Sequence, residues 1–166
     1  GAGKGAQYGI LIKSGEYLEK ARKINTIVFD KTGTLTKGEP SVTDIIYLRS
    51  SANDVLRYAA IAEKGSEHPL GEAVVRAAKK KGLRIPDASK FRAFPGYGVA
   101  AFYAGKKILL GNRMFMRKSR VKMEKEDKIQ HLEHDGKTVI LLAINRKLSG
   151  ILAIADTLKE EALSTI

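Results

Sequence analysis

The sequence predicts an α+β fold, an antiparallel sheet flanked by helices, inserted into a partial α/β domain. Residues 41–148 hold two helical segments and then two hairpins, a pattern typical of antiparallel strands covered by helices. The apolar segments 24–30 and 148–155 each finish at an aspartate, Asp30 and Asp156. Buried strands that end in carboxylates indicate an α/β core whose site lies at the carboxyl ends of its strands.

The first half of the chain is predicted to begin with a short helix and two strands. Residues 14–23 form the helix, which ends in basic side chains. Residues 24–30, "INTIVFD", are rich in β-branched and aromatic residues and predict a strand buried on both faces. A second strand is expected in "SVTDIIYL", which follows the turn residues "GTLTKGEP".

Two helices follow. Apolar residues at helical spacing predict a helix over 52–64, with Asn53 as its N-cap and Gly65 after its end. The next helix is expected from Pro69, which suits a first turn, to the glycine after Lys81. The lysines at 79–81 then serve the negative helix end rather than a nucleic-acid patch.

The second half of the chain shows a period of two, typical of strands. "GVAAFYAGKKILLGN" predicts a hairpin that turns at residues 104–106, and "KTVILLAINRKLSGILAIAD" predicts another that turns at 145–147. Between them, the charged residues 121–134 predict a surface helix. "TLKEEALSTI" is expected to begin a final helix.

Composition limits the classes of function. Thirty basic and eighteen acidic residues give a net charge of +12, which favours an anionic partner: nucleic acid, nucleotide phosphates or an anionic membrane. A surface simply solvated by lysines explains the charge equally well. The chain has no cysteine, which excludes a disulfide scaffold and a cysteine-based metal site. No apolar run approaches the roughly 20 residues that span a bilayer, so we expect the chain itself to be soluble.

The stretch "VFDKTGTLT" concentrates groups suited to phosphate chemistry. Asp30 at a strand end can act as a nucleophile, and Lys31 adds positive charge. Gly33 permits a sharp turn that aims backbone N–H groups at an anion, and Thr32 and Thr34 offer hydroxyls. Alone, such an aspartate is as easily a residue that opens a turn.

The heptapeptide "DKTGTLT" resembles the phosphorylation motif of P-type ATPases, whose aspartate takes the γ-phosphate of ATP. The resemblance implies ATP and Mg²⁺ as cofactors and a haloacid-dehalogenase-like phosphorylation domain. It makes Asp30 the nucleophile, and Asp30 and Thr32 would contribute to the Mg²⁺ site of the complete domain. Asp156 and Lys159, in "GILAIADTLK", stand at family-typical positions, and Asp156 would be associated with the phosphate and Mg²⁺.

A second motif, "SEHPLG", places His68 before the helix that Pro69 opens. A helix N-terminus attracts anions, and an imidazole ring can stack on a base, although a solvated histidine is the simpler interpretation of the motif alone. Together with "DKTGTLT", "SEHP" is similar to the nucleotide-domain signature of heavy-metal-transporting P-type ATPases. That resemblance implies that His68 and Glu63, five residues upstream, hold adenine.

Two glycine-containing stretches extend the resemblance. "PGYGVAA" matches the subgroup's Gly-x-Gly segment at Gly96 and Gly98, where missing side chains would let the backbone approach the nucleotide. "LGN" matches a further pair, Gly111 and Asn112, and an asparagine suits a ribose hydroxyl or a phosphate. His131 and His134 match no motif and are interpreted as surface residues.

The resemblance also shows which family parts the chain lacks. The "TGD" and "GDGxND" motifs do not occur in it, nor do membrane helices. We therefore expect residues 1–40 to be the start of a phosphorylation domain and residues 149–166 its incomplete return. Residues 41–148 would be a nucleotide-binding domain, with hinges near 37–42 and 147–150.

The sequence thus predicts the ATP-binding catalytic fragment of a heavy-metal pump, with copper the most expected cargo. Its partners would be nucleotide and the membrane domain of the same parent protein, and its place the cytoplasmic side of an integral membrane protein. One alternative is a nucleotide-binding module without turnover. Another is a haloacid-dehalogenase-type phosphatase, although such enzymes usually carry an aspartate where Thr32 stands. We expect no nucleic-acid partner, because no aromatic stacking strip is apparent.

Overall fold

A computed structural model describes residues 2–162, with the side chains of Ala2, Lys31 and Thr32 excepted. Its centre is one six-stranded sheet in which each neighbouring pair is antiparallel, with the order β1-β6-β5-β4-β3-β2. The strands are β1 (Thr36–Tyr47), β2 (Ser89–Phe94), β3 (Gly98–Tyr103), β4 (Lys106–Gly111), β5 (Thr138–Ile144) and β6 (Lys147–Leu158).

The helices are α1 (Ala2–Gln7), α2 (Gly15–Ala21), α3 (Ala52–Glu63), α4 (Pro69–Lys80), α5 (Arg113–Lys118) and α6 (Glu126–His134). Helices α3 and α4 pack on one face of the sheet, and α5 and α6 pack on the other. Because side chains alternate along a strand, Ile108 and Leu110 of β4 pack in the core beneath α3 and α4. Leu109 between them packs in the core beneath α5 and α6. The predicted antiparallel sheet with flanking helices is therefore confirmed.

The two long helices match their predicted spans, but the N-cap of α3 was predicted wrongly. Ser51, not Asn53, is the N-cap, and its hydroxyl accepts a hydrogen bond from the Asp54 amide at 3.1 Å. The Asp54 carboxylate in turn accepts from the Ser51 amide at 3.2 Å. This reciprocal pair begins the helix two residues earlier than an N-cap at Asn53 would, and it satisfies two otherwise unpaired N–H groups.

Both predicted hairpins are present, with turns at 104–105 and 145–146. The predicted surface helix starts later, at Glu126 rather than at residue 121. Val121 is buried in the core beneath α5 and α6, and Lys125 adopts a left-handed conformation directly before the helix. Strand β2 and helix α5 were not predicted; each has only six residues.

The predicted buried strand at 24–30 is wrong. These residues form neither strand nor helix and are exposed, Val28 to 90%. The expected partner segment, 148–155, lies in β6, which pairs with β1 on one side and with β5 on the other. Both edges of β6 are occupied by antiparallel neighbours, so residues 24–30 cannot pair with it in a common α/β core.

The C-terminal part of the described chain continues as a strand. Thr157 and Leu158 still belong to β6, and the remainder of the predicted final helix lies largely outside the described residues. Among the helices of residues 2–162, none is long and apolar enough to cross a membrane.

Candidate functional site

A cavity of about 320 Å³ opens at one end of the sheet. The end of β2, the start of β3, the end of β4 and the start of β5 form its floor, and the α3–α4 junction forms its wall. The six residues predicted from sequence to bind nucleotide all line this cavity: Glu63, His68, Gly96, Gly98, Gly111 and Asn112. Residues far apart in the chain are thus brought to one place.

His68 is held by the helix it precedes. It is the N-cap of α4, and its Nδ1 accepts a hydrogen bond from the Leu70 amide at 3.2 Å. Because Nδ1 is an acceptor, the proton of the neutral ring resides on Nε2. Pro69 occupies the first helical position, where its missing N–H has no consequence. The ring remains exposed and is presented at the positive end of α4.

Glu63 is the last residue of α3 and only 7% exposed. Burial raises the pKa of its carboxyl group, while the Ser66 hydroxyl and the charge of His68 act to lower it. Its Oε2 is buried and has no hydrogen-bond partner among the described residues. A buried carboxyl that the protein leaves partly unsatisfied fits a ligand with hydrogen-bonding groups, such as the edge of a nucleobase.

The glycines at 98 and 111 face each other across β3 and β4. A Cβ on Gly98 would lie 2.1 Å from the Leu110 carbonyl oxygen, and one on Gly111 would lie 2.2 Å from that of Tyr97. Close packing of the protein's own strands therefore requires these glycines. Sequence reasoning identified both residues by motif, and it attributed Gly98 to the approach of the ligand.

Asn112 supports the turn between β2 and β3 rather than pointing a free amide at the cavity. Its Oδ1 accepts from the Phe115 amide at 2.9 Å and caps α5, and its Nδ2 donates to the Gly96 carbonyl at 2.8 Å. Gly96 has a φ of 76°, a left-handed conformation that glycine adopts readily. Asn112 thus fixes the position of the Gly96 turn in the cavity floor.

Apolar and aromatic residues that sequence reasoning missed complete the cavity, notably Leu70, Phe94, Tyr97, Val99 and Ile140. They give it flat, apolar walls of the kind on which a base can stack. Their only sequence signal was a position next to the matched glycines or at the start of a predicted strand or helix.

The phosphorylation motif lies in a different part of the structure, as a single π-helical turn, Lys31–Leu35, that leads into β1. Here Thr36 is 2% exposed; its hydroxyl accepts from the Gly33 amide at 3.1 Å and donates to Asp156 Oδ2. Asp156 Oδ2 also accepts from the Gly38 amide at 3.2 Å, and Lys159 Nζ donates to the Gly33 carbonyl at 2.8 Å. These hydrogen bonds join the motif and the start of β1 to residues 156–159. Sequence reasoning missed Thr36, whose signal was its place as the last residue of the heptapeptide.

Two further residues of the motif lie at the surface. Asp30 and Thr34 are exposed, and neither lines the cavity. The side chains of Lys31 and Thr32 lie outside the described part of the structure. Within residues 2–162 no group of three or more acidic or histidine side chains is placed to hold a metal ion. The Mg²⁺ site expected at Asp30 and Thr32 in the complete domain stays a prediction.

Comparison with known proteins gives one family and a consistent set of relatives. Residues 24–166 match the haloacid dehalogenase-like hydrolase family. The copper-exporting P-type ATPase of Bacillus subtilis (strain 168) is 45% identical over 168 residues, which cover 100% of this chain and 21% of that protein. The chain therefore spans about a fifth of the length of the curated relatives it matches.

Solved structures agree with these relatives. The crystal structure of a zinc-transporting PIB-type ATPase in the E2.Pi state superposes with a TM-score of 0.88 at 37% identity, covering 99% of this chain and 27% of that one. The catalytic domain of the CPx-ATPase CopB-B, studied for its conformational changes upon nucleotide binding, gives a TM-score of 0.66 at 29% identity. It covers 99% of this chain and 58% of that one.

Proposed function

Because the chain belongs to the haloacid dehalogenase-like hydrolase family and its homologues are P-type ATPases, we propose that it is the ATP-binding catalytic fragment of a heavy-metal pump. The cargo we propose is copper, since the relatives at 45% identity are copper exporters. In the complete pump, the γ-phosphate of ATP is transferred to Asp30, and the partner of the chain is the membrane domain of the same protein.

The observation that carries the proposal is the convergence of six motif residues on one cavity. A resemblance between motifs concerns residue types in order, whereas the cavity is a property of the fold. Its apolar floor suits a base, and its buried acid suits the polar edge of that base. Its helix N-terminus suits a neighbouring anion. Nucleotide is the ligand class that uses all three.

In the proposed arrangement the base lies against the apolar floor near Gly96 and Gly98. The Glu63 carboxyl group meets its polar edge, and the His68 ring covers it from the N-terminus of α4. The phosphates of the same nucleotide, joined to the base through the ribose, lie near the positive end of that helix, which favours negative charge. The chain's residues thus bind and orient the nucleotide, and this is the part of the reaction that the described structure supports.

Phosphoryl transfer is the second step of the proposal. An Asp30 oxygen forms a bond to the γ-phosphorus while the bond from that phosphorus to the bridging oxygen of ADP breaks. Asp30 is exposed and outside the cavity, so the step requires the nucleotide-bearing part to close on it. Thr32, where phosphatases of this family usually carry an acid, provides no carboxyl group for rapid hydrolysis of the aspartyl-phosphate.

Loss of the His68 ring should weaken nucleotide binding. We expect His68→Ala to raise the dissociation constant for ATP about tenfold, the effect of losing one stacking or hydrogen-bonding contact, in isothermal titration of the chain. His134→Ala, an exposed histidine on α6, is the matched control and should bind as wild type does. Equal affinities of the two variants would remove His68 from the site.

Replacement of the nucleophile should abolish the phosphoenzyme. In the full-length parent pump, Asp30→Asn should incorporate no radiolabel from γ-labelled ATP, because an amide is too weak a nucleophile. Asp156→Asn is a useful comparison, since it should lower incorporation without removing the acceptor group. Retained labelling in Asp30→Asn would contradict the assignment.

A binding module without turnover remains the second candidate for the isolated chain. It is favoured by the position of Asp30 away from the cavity. A sensitive assay of phosphate release distinguishes the two candidates, because sustained release by the isolated chain is incompatible with the second.

A further inference from the structure

Gly71 occupies an unexpected place for a glycine. It is the third residue of α4 and is buried. Glycine is less favourable than alanine inside a helix, and the helical backbone at this position suits an ordinary L-residue, so conformation does not require glycine here. The explanation must lie in the space beside it.

That space is filled by the carboxyl group of Glu63. A Cβ on Gly71 would lie 2.4 Å from Glu63 Oε2, 3.0 Å from its Cδ and 3.2 Å from the Ser66 hydroxyl oxygen. Real Cβ atoms do not approach a neighbour as closely as the first distance. The nearest atoms belong to the far end of a flexible side chain, so an added methyl group would displace the carboxyl group before it displaced the fold.

We propose that Gly71 is a positioning residue for base recognition: its missing side chain seats the Glu63 carboxyl group in the cavity wall. The proposal rests on the proposed function, in which Glu63 meets the polar edge of the base. Three facts carry it: the close approach to Oε2, the burial of that oxygen against α4 without a partner in the described chain, and the position of Glu63 in the cavity lining.

A seated carboxyl group discriminates between bases by hydrogen-bond complementarity. The six-position of adenine carries an amino donor, whereas hypoxanthine carries a carbonyl acceptor there. A site built around an acceptor rejects the analogue that lacks the donor, because the buried group is then left unpaired. Displacing the carboxyl group should therefore reduce the preference for ATP over ITP more than it reduces affinity for triphosphates in general.

The test is a double-mutant cycle on the ratio of ATP to ITP dissociation constants, measured on the full chain. We expect Gly71→Ala to reduce the preference for ATP about tenfold, as loss of one buried hydrogen bond does, and Glu63→Ala to reduce it similarly. The double variant should be no worse than Glu63→Ala, because the displaced group is absent. Glu72→Ala, an exposed change in the same turn of α4, should keep the wild-type ratio.

The outcomes separate the two proposals. An unchanged ratio in Gly71→Ala, with both affinities lowered equally, would overturn the positioning role. If Gly71→Ala fails to fold, thermal unfolding tests the proposal instead. Adding Glu63→Ala to the same chain should restore folding, and failure to restore it would contradict the proposed contact between Gly71 and the Glu63 carboxyl group. A wild-type chain that binds neither nucleotide refutes the proposed function instead, while the unfolding cycle still tests the contact between Gly71 and Glu63.

Discussion

At the scale of single residues, Glu63 combines burial with incomplete hydrogen bonding. A buried carboxyl group disfavours its charged form, and here desolvation is the dominant influence on its pKa. Because the folded-state pKa is raised, the folded protein holds this proton to a higher pH than the unfolded chain does. Its contribution to stability is therefore complete at low pH and is lost as pH rises from the ordinary carboxyl pKa, about 4.3, through the folded value.

Glu63→Gln should reveal this linkage, because glutamine keeps the shape of the protonated side chain and does not ionise. The free energy of unfolding of the variant relative to wild type should increase as pH rises above about 4, by about 1.4 kcal/mol for each unit by which folding raises the pKa. Urea denaturation at several pH values measures it. Glu72→Gln, at an exposed position, is the control, and a pH-independent difference for Glu63→Gln would contradict the burial argument.

The site residues also show what a sequence can and cannot reveal. His68 was identified for a reason that the geometry supports, its place at a helix N-terminus. Gly96 was assigned to the approach of the nucleotide, whereas its positive φ explains the glycine. Gly98 and Asn112 were identified by motif, but strand packing and capping explain them. Such roles depend on neighbours distant in the chain, which no local pattern reveals.

At the scale of elements, capping of α3 is the clearest local determinant. Ser51 and Asp54 form a capping box, whereas Asn53 lies inside the helix. The sequence contains the signal for Ser51, a serine followed three residues later by an acid. Asn53 also belongs to a residue type that favours N-caps and lies closer to the apolar pattern, which explains the wrong prediction.

Ser51→Ala should therefore destabilise the protein, and Asn53→Ala should not. We expect a loss of about 1 kcal/mol in the free energy of unfolding for Ser51→Ala, the usual cost of removing an N-cap side chain. Asn53→Ala should change it by less than about 0.5 kcal/mol, as surface substitutions usually do. Urea denaturation of both variants provides the comparison, and the reverse order would restore the cap predicted from sequence.

The longer elements were predicted because their signals are local and repeated. Helices α3 and α4 have twelve residues each with apolar residues at helical spacing, and the hairpins have clear turn residues. Strand β2 was missed because its exposed edge residues, "SKFRAF", lack a clear apolar alternation. Its pairing with β3 is a tertiary contact that propensity alone does not predict.

At the scale of the whole molecule, β1 and β6 connect the cavity-bearing part of the chain to the phosphorylation motif. The hinge predicted near 37–42 and 147–150 stays a prediction. Leu148 in the second segment is fully buried and pairs with Ala143 of β5. The first segment contains Gly38, at a φ of 74°, within the irregular pairing between Thr36 and Pro40. Arg76 donates a hydrogen bond to the Pro40 carbonyl at 2.8 Å and thereby links α4 to this irregular part of β1.

The predicted strand at 24–30 was wrong because it depends on contacts with other parts of the molecule. A strand buried on both faces needs neighbouring strands and covering layers, and the described chain provides neither at this segment. Its apolar composition predicted burial, but the segment is exposed. The sequence of the segment alone does not show whether neighbouring strands and covering layers are available to bury it.

The measurement that tests the central claim most directly is an NMR titration of the isotopically labelled chain with ATP. The account predicts that the largest amide shift changes fall on the cavity lining, at Gly96, Gly98, Asn112 and the start of α4. Guanosine triphosphate should produce smaller changes at the same positions. Changes spread over exposed lysines such as 79–81, or no changes in the cavity at saturating ATP, would contradict the assignment of this cavity as a nucleotide site.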